Sequence, residues 1–272
     1  MSLAATQVGG AAKPVAGRSL ARTMMLHAVA IALTLGLWQF VVAIGLAREL
    51  VVSTPLRVAA EFFAVVVSPR TWSAVLVTIG ELVAGLLIGG AVGVVLGAAF
   101  ARVPLLDRMF KPLVLALYTL PRLALLPLFV VWLGLGVESK IAVAVIHGVV
   151  LFMLGAYAAV SSIDTKLIEA CRLFGASRLR LLALVYVPSS VPYLLTTVRQ
   201  AIGLALGSVI VAEMTGAFAG MGFELSRRLA QFDMTGVLAW VVLASMLGLA
   251  LERVALTFER RLTRWTPRQQ DD

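Results

Sequence analysis

Four stretches of this chain contain no Asp, Glu, Lys or Arg, and each is long enough to cross a lipid bilayer. They are residues 23–47, 82–101, 141–163 and 234–251. A helix needs about 20 apolar residues to span the hydrocarbon core, so these stretches restrict the chain to a helical membrane fold. The composition agrees, because 61% of the residues are hydrophobic and 14% are charged, whereas soluble domains carry about 25% charged residues.

Two further spans are predicted although they contain charged residues. Residues 112–133 include Pro121 and Arg122, and residues 194–216 include Glu213. A charge inside a span is costly and usually faces a cavity or a partner. These three residues are therefore pore candidates.

A second interpretation of Arg122 stays open at this point. Residues 105–120 can instead form a surface helix, with the span beginning near Arg122. In that case the guanidinium marks the cytoplasmic interface and has no role in transport.

The sequence thus predicts an all-α, polytopic membrane protein with about six transmembrane helices. The predicted spans are 23–47, 74–101, 112–133, 141–163, 194–216 and 234–254. A single transmembrane domain would cover residues 23–258, with a cytoplasmic loop at 164–192. Residues 1–22 are small, polar and basic, which predicts a disordered cytoplasmic tail, and residues 259–272 predict a basic cytoplasmic tail.

The distribution of Lys and Arg predicts the orientation. With the N-terminus inside, 16 of these residues fall on the cytoplasmic side and 6 on the outer side, with Arg122 inside a span. Basic residues are enriched in cytoplasmic loops, so both termini are expected in the cytoplasm. The same effect explains the net charge of +9. A nucleic-acid partner is not expected, because such proteins need a polar domain to carry their charge.

Glycines recur at intervals of four in the second predicted span. They are Gly85, Gly89, Gly93 and Gly97. Small residues at this spacing let another helix approach closely, so we expect helix packing here, inside the bundle or across a dimer. Gly203 and Gly207 predict the same for the fifth span.

The loop at 164–192 is the longest stretch with frequent charges between apolar spans. Asp164 is a good N-cap for a first short helix. Gly175 follows that helix where a left-handed residue is wanted, and Ser177 can cap a second helix. Pro188 is expected to end the second helix, since proline lacks a backbone donor.

The motif in this loop resembles a known family signature. Glu169-Ala170-Cys171, then Gly175, then Val185-x-Val187-Pro188 is similar to the cytoplasmic loop of the permeases of ABC importers. The resemblance implies a coupling helix that lies in a groove of the ATPase subunit. The implied interface residues are Glu169, Ala170, Cys171, Arg172, Phe174, Gly175, Ala176, Ser177 and Arg178. The alternative is an amphipathic helix on the cytoplasmic membrane surface.

The resemblance extends over about residues 50–265. The blocks at 120–128 and 212–214 look like the nitrate/sulfonate/taurine group of permeases, although Glu81 departs from that group. The resemblance implies an inner-membrane permease that conducts a small solute, such as a sulfonate, taurine or nitrate. The implied partners are an ABC ATPase dimer, an extracytoplasmic binding protein, a second copy of this chain and membrane lipid.

No catalytic, cofactor or metal site is expected. The sequence has no phosphate-binding GxxxxGK[ST] loop, and its one cysteine and two histidines match no ligand spacing. ATP hydrolysis is therefore expected in a separate subunit, and an intramembrane serine protease is disfavoured. An ion-coupled secondary transporter and a structural membrane anchor are the alternative functions.

Overall fold

The computed structural model describes residues 20–46 and 52–263. Internal contacts divide the chain into two units, Met1–Pro55 and Leu56–Asp272, where the sequence predicted a single transmembrane domain at 23–258. Most of the predicted tail at 1–22, and residues 264–272 of the predicted basic tail, lie outside the described residues.

Helices make up nearly all of the described residues. In chain order they are α1 (Leu20–Ala43), α2 (Pro55–Val67), α3 (Pro69–Arg102), α4 (Pro104–Thr119), a 3₁₀ turn (Arg122–Leu125), α5 (Leu126–Leu133), α6 (Val137–Ser161), α7 (Thr165–Leu173), α8 (Arg178–Leu181), a π turn (Leu182–Tyr186), α9 (Val187–Met214), α10 (Met221–Ala230) and α11 (Met234–Leu262). No strand occurs in residues 20–46 and 52–263. The prediction of an all-α polytopic protein is confirmed.

Five helices in the described part of the chain are long and apolar enough to cross a membrane. They cover Arg22–Ala43, Pro69–Arg102, Val137–Ser161, Arg178–Met214 and Met234–Leu262. These helices correspond to five of the six predicted spans and extend most of them. Proline sets both ends of α3: Pro69 occupies its first turn, and Val103 is extended before Pro104, as the residue before a proline usually is.

The structure divides the predicted third span at 112–133, and the helix bounds match the alternative interpretation, in which a helix at 105–120 precedes a stretch that begins near Arg122. Helix α4 ends at Thr119, and a separate short helical stretch begins at Arg122. Between them Leu120 takes an extended conformation, with ψ 131°, and Pro121 is also non-helical. The ring of Pro121 disfavours a helical residue before it and removes a backbone donor. The predicted third span therefore contains a break after Thr119.

The prediction that Pro188 ends the second loop helix was wrong. Helix α8, the π turn and α9 form one helix of 37 residues that runs through Pro188. A proline in a regular helix clashes with the carbonyl four residues earlier. The wider π turn immediately before Pro188 relieves that clash, and Pro188 itself lies in the first turn of α9.

The closest helix contact is between α3 and α6, and the glycines at 85, 89, 93 and 97 all lie in it. A Cβ atom at Gly93 would lie 2.5 Å from the carbonyl oxygen of Val149 and 2.9 Å from the backbone nitrogen of Met153. At Gly97 it would meet the carbonyl of Met153 even more closely. The glycine stripe thus packs inside the bundle, where it brings two backbones together.

Gly203 and Gly207 differ from this stripe. Nothing in the described chain lies within 4 Å of a Cβ atom placed at either position. They therefore form no close helix contact within the described chain, and a contact across a dimer stays a prediction for them.

The main hydrophobic core joins α2, α3, α9, α10 and α11. Leu82, Leu206, Met221 and Trp240 are buried in it. Because α10 packs against both α9 and α11, this core fixes the loops at one end of the long helices. The charged loop at 164–181 lies at the opposite end.

Candidate functional site

The charged loop adopts the two short helices predicted from its capping residues. The Asp164 carboxylate accepts a hydrogen bond from the backbone N–H of Lys166 at 2.9 Å. Gly175 has φ +79°, a left-handed conformation that glycine takes without penalty. The Ser177 hydroxyl accepts from the backbone N–H of Arg180 at 3.4 Å. These residues set the turn between α7 and α8.

Large apolar side chains project from this loop into open space. Leu173 is 88% exposed, Phe174 is 91% exposed and Leu179 is 78% exposed. The neighbouring residues Glu169 and Arg172 are exposed as well. Exposed apolar residues rimmed by charges are typical of a surface that binds another protein or a membrane.

The remaining predicted interface residues follow the same surface. Ala170, Cys171 and Ala176 are half-buried, while Gly175, Ser177 and Arg178 are exposed. Thus the predicted interface residues at 169–178 lie on one accessible segment at the end of the long helices.

The break in the third span borders a cavity of about 250 Å³. Its wall comes from the end of α4, the break itself, α6 and α9. The lining residues are Tyr118, Leu120, Pro121, Arg122, Leu123, His147 and Ser208. Two of the predicted pore candidates, Pro121 and Arg122, therefore lie at a cavity.

The positive charge of Arg122 has few interaction partners within the described chain. Its Nη2 donates to the carbonyl oxygen of Tyr118 at 3.1 Å, and its guanidinium carbon lies 5.7 Å from the centre of the Tyr118 ring. Its Nε is buried and has no hydrogen-bond partner. Within residues 20–46 and 52–263, Arg122 forms no ion pair with a carboxylate.

His147 and Ser208 form a buried pair that the sequence interpretation missed. The imidazole Nδ1 lies 2.9 Å from the carbonyl oxygen of Val143 and therefore donates to it. This leaves Nε2 facing the hydroxyl of Ser208 at 3.1 Å. The signal available in the sequence was a polar residue in each of two spans, but nothing in the sequence showed that they meet.

Glu213, the third pore candidate, lies inside the bundle and not in the wall of this cavity. Its side chain is 1% exposed. The carboxylate accepts hydrogen bonds from the Thr78 hydroxyl at 2.7 Å and from the backbone N–H of Gly222 at 2.6 Å. The Thr78 hydroxyl in turn accepts from the backbone N–H of Met221 at 2.9 Å. Glu213 thereby ties α3 to the start of α10.

Lys140 belongs to the same buried cluster, although the sequence interpretation placed it in an outer loop. It is fully buried, and its ammonium group donates to the carbonyl oxygens of Leu135 at 2.7 Å and Gly216 at 2.5 Å. Its charge lies near the carboxyl groups of Glu81 and Glu213. Glu81, which is 4% exposed, lies in the same cluster and interacts with the carboxyl group of Glu213 and with the charge of Lys140.

Ion pairs occupy the end of the bundle where α10 lies. The buried Glu224 carboxylate binds Arg70 at 2.7 Å and Arg227 at 2.6 Å. Arg228 binds Glu61 at 2.8 Å and also Asp233. Arg70, Arg227 and Arg228 are three of the six basic residues counted on the outer side, and all three are paired with carboxylates.

No cluster of three or more His, Cys, Asp or Glu side chains that could hold a metal ion occurs among the described residues. The polar groups described above are instead arranged as hydrogen-bond donors and charge pairs.

Comparison with known proteins identifies a family and several relatives of this chain. A family model described as the binding-protein-dependent transport system inner membrane component matches residues 89–264. The formylaminopyrimidine transport permease of Halalkalibacterium halodurans is 32% identical over 186 residues, which cover 67% of this chain and 74% of the relative. The taurine transport system permease of Escherichia coli is 27% identical over 251 residues, which cover 90% of this chain and 91% of the relative.

A solved structure has the same fold. It is a bacterial ABC transporter involved in the import of the acidic polysaccharide alginate. The TM-score is 0.62 at 15% identity, and the alignment covers 89% of this chain and 97% of the other. At this identity the likeness concerns the fold alone.

Proposed function

This chain belongs to the family of binding-protein-dependent transport system inner membrane components, and from this premise we propose how it works. It is a multi-pass membrane permease subunit of an ABC importer and not itself a catalytic enzyme. In our proposal the helices within residues 23–258 form the translocation path, and the energy comes from a separate ATPase subunit that binds the loop at 164–181.

The observation that carries this proposal is the exposure of the loop's apolar side chains. Leu173, Phe174 and Leu179 project from two short capped helices, and charged residues surround them. An amphipathic helix with its apolar side chains presented in this way suits a groove on a partner protein. The partner would hold Glu169 and the segment 174–178.

Symmetry supports a dimer of this chain. The second unit carries one such loop within its described residues, and closed two-fold assemblies are the commonest arrangement of identical subunits. We propose that two copies enclose the path and that each binds one ATPase subunit. An extracytoplasmic binding protein would deliver the solute to the end where α10 lies.

The proposed orientation has both termini in the cytoplasm of a bacterial cell. It is supported by the basic residues of the loop, which are Lys166, Arg172, Arg178 and Arg180. Basic residues are enriched in cytoplasmic loops.

For the substrate, we propose a small organic or inorganic anion such as a sulfonate, taurine or nitrate. The relatives are named for taurine and for formylaminopyrimidine, so the family handles more than one chemical class. The unneutralised Arg122 beside a cavity favours an anion.

Affinity purification from the native membrane tests the central proposal. The tagged chain should retain an ATP-binding subunit, and the purified material should hydrolyse ATP. A chain that purifies alone but transports its solute in response to an ion gradient would be a secondary transporter, and the proposal would be wrong.

Phe174→Ser should weaken this association. The side chain is 91% exposed, so the substitution should change the stability of the fold little, but it removes an apolar contact with the proposed partner. Phe218→Ser is the matched control, because Phe218 is 79% exposed near α10, at the other end of the bundle. Equal retention of the ATPase by both variants would speak against docking through Phe174.

Gly175→Val tests the turn between α7 and α8. Nothing lies within 4 Å of a Cβ atom at Gly175, so the effect comes from the backbone, since a β-branched residue tolerates positive φ poorly. The variant should insert into the membrane but lose coupled transport. Gly175→Asn should keep most transport, because Asn tolerates this conformation. Normal transport by the Val variant would refute the role of the turn.

A further inference from the structure

The cavity at the break in the third span joins polar groups from three separate elements. Arg122 begins the 3₁₀ turn, His147 lies in α6 and Ser208 lies in α9. Non-helical backbone at membrane depth is tolerated only where it is buried in protein or lines a water-filled cavity. The conformation of Leu120 and Pro121 thus agrees with a hydrated cavity at this point.

The cavity lies deep in the membrane. His147 follows the start of α6 at Val137 by ten residues, which is about 15 Å along a helix. The hydrocarbon core is about 30 Å thick, so His147 lies near its middle. Arg122 lines the same cavity and therefore lies well inside the membrane.

A guanidinium at this depth needs hydrogen-bond acceptors, and the described chain supplies only the carbonyl oxygen of Tyr118. The Nε of Arg122 is buried without an acceptor, and no carboxylate in the described residues pairs with it. Charged side chains inside a membrane usually pair or mark the route of a substrate or ion. The free donor therefore calls for an acceptor from outside the chain.

Ser208 offers a second donor that can change partner. Its hydroxyl lies 2.9 Å from the carbonyl oxygen of Leu204 and 3.1 Å from Nε2 of His147. One hydroxyl hydrogen faces two acceptors, so it can turn to a third without breaking a fixed network. In this arrangement His147 acts as a positioning residue for the hydroxyl.

We propose that this cavity is an anion-binding site on the translocation path, an inference that rests on the proposed function. Arg122 supplies the fixed charge, and Ser208 supplies a neutral hydrogen bond to the same oxyanion. The ligand class is a small solute with a sulfonate, nitrate or carboxylate group, because a guanidinium can hold two such oxygens at once.

Thiol labelling tests the site without transport or a known substrate. The native cysteine is removed by Cys171→Ser, and Ser208→Cys places a thiol in the cavity of the full chain, purified in nanodiscs with the subunits it retains. Two methanethiosulfonate reagents are compared, one carrying a sulfonate and one a quaternary ammonium group. Gly207→Cys, on the adjacent open face of α9, provides the reference rate for each reagent.

The cavity thiol should prefer the anionic reagent relative to the reference position. Arg122→Gln should lower that preference on the order of tenfold, and Arg122→Lys should keep most of it, because a nearby charge changes the local concentration of ions. Methanesulfonate should slow the labelling in the presence of Arg122, whereas its neutral analogue dimethyl sulfone should not.

Three results would overturn the site. The thiol could be inaccessible to both reagents, the preference could survive Arg122→Gln, or dimethyl sulfone could protect as well as methanesulfonate. Protection by methanesulfonate is measured with Arg122 intact, so a misfolded Gln variant does not remove the test. If the chain lacks an ATPase partner but the thiol at position 208 still prefers the anionic reagent, the proposed function is refuted and the anion site is supported.

Discussion

Gly93→Ala should destabilise the bundle, although alanine is the better helix former. The added Cβ would lie 2.5 Å from the carbonyl oxygen of Val149, 2.9 Å from the nitrogen of Met153 and 3.0 Å from Cβ of Phe152. Non-bonded heavy atoms prefer separations of about 3.5–4.0 Å, so α6 would have to move away by about 1 Å. Two of the three opposing atoms are backbone and cannot rotate aside.

The expected cost follows from two opposing effects. Overpacking a tight interior costs about 1–3 kcal/mol, whereas replacing a helical glycine by alanine gains about 1 kcal/mol. We expect a net loss of up to about 2 kcal/mol, since the whole of α6 must shift, and with it Lys140 and His147. Gly207→Ala should instead gain up to about 1 kcal/mol, because nothing lies within 4 Å of its new methyl group.

Unfolding of the purified chain in mixed micelles, titrated with SDS and followed by circular dichroism, measures both variants. Gly207→Ala is the matched control, since it makes the same chemical change in the middle of another spanning helix. If the Gly93 variant were as stable as the Gly207 variant or more so, the close approach of α3 and α6 would be refuted.

Three further predictions concern single groups. Lys140→Met should cost about 1.5–3 kcal/mol in the same assay, because the carbonyl oxygens of Leu135 and Gly216 lose a charged donor and the nearby carboxyl groups lose a cation, and adding Glu213→Gln should restore part of the loss; an unchanged midpoint would contradict the cluster. Burial alone would raise the pKa of Asp233, but the hydrogen bond from Gly236 and the nearby Arg228 together lower it below its ordinary 3.8. Ionised Asp233 therefore stabilises the fold at neutral pH, and this contribution is lost as the pH falls through the lowered pKa. Between about pH 6 and pH 3 the wild type should lose about 0.5–1 kcal/mol more than Asp233→Asn, and parallel curves would argue against it. A membrane-impermeant maleimide should label Cys171 in inverted vesicles and not in intact spheroplasts, with the ATPase slowing the reaction; labelling from outside would reverse the proposed orientation.

The sequence alone supported the helices and the loop, because their signals are local. Charge-free runs of about 20 residues mark spans by themselves, and the caps at Asp164 and Ser177 depend only on near neighbours. The effect of a proline was less predictable. Pro121 breaks a helix and Pro188 does not, and the difference is a π turn that the residue types do not specify.

Contacts between distant residues could not be predicted. Lys140 lies just before the predicted span at 141–163 and was therefore counted among the outer basic residues. In the structure it is buried, because its ammonium group binds the carbonyl oxygens of Leu135 and Gly216 and lies near two carboxyl groups. The pairing of His147 with Ser208 joins residues 61 positions apart. Such pairs depend on helix packing, which a single sequence does not reveal.

The unbroken helix from Arg178 to Met214 has a mechanical consequence. Ser208 follows Arg178 by thirty residues, so about 45 Å of continuous helix joins the loop to the cavity wall. A rigid rod of that length turns a tilt of about 10° at one end into a displacement of about 8 Å at the other. The π turn at Leu182–Tyr186 lies near the loop end, where a helix bends most easily. The stiffness of those five residues therefore governs how much of a push on the loop reaches Ser208 and how much is absorbed as local bending.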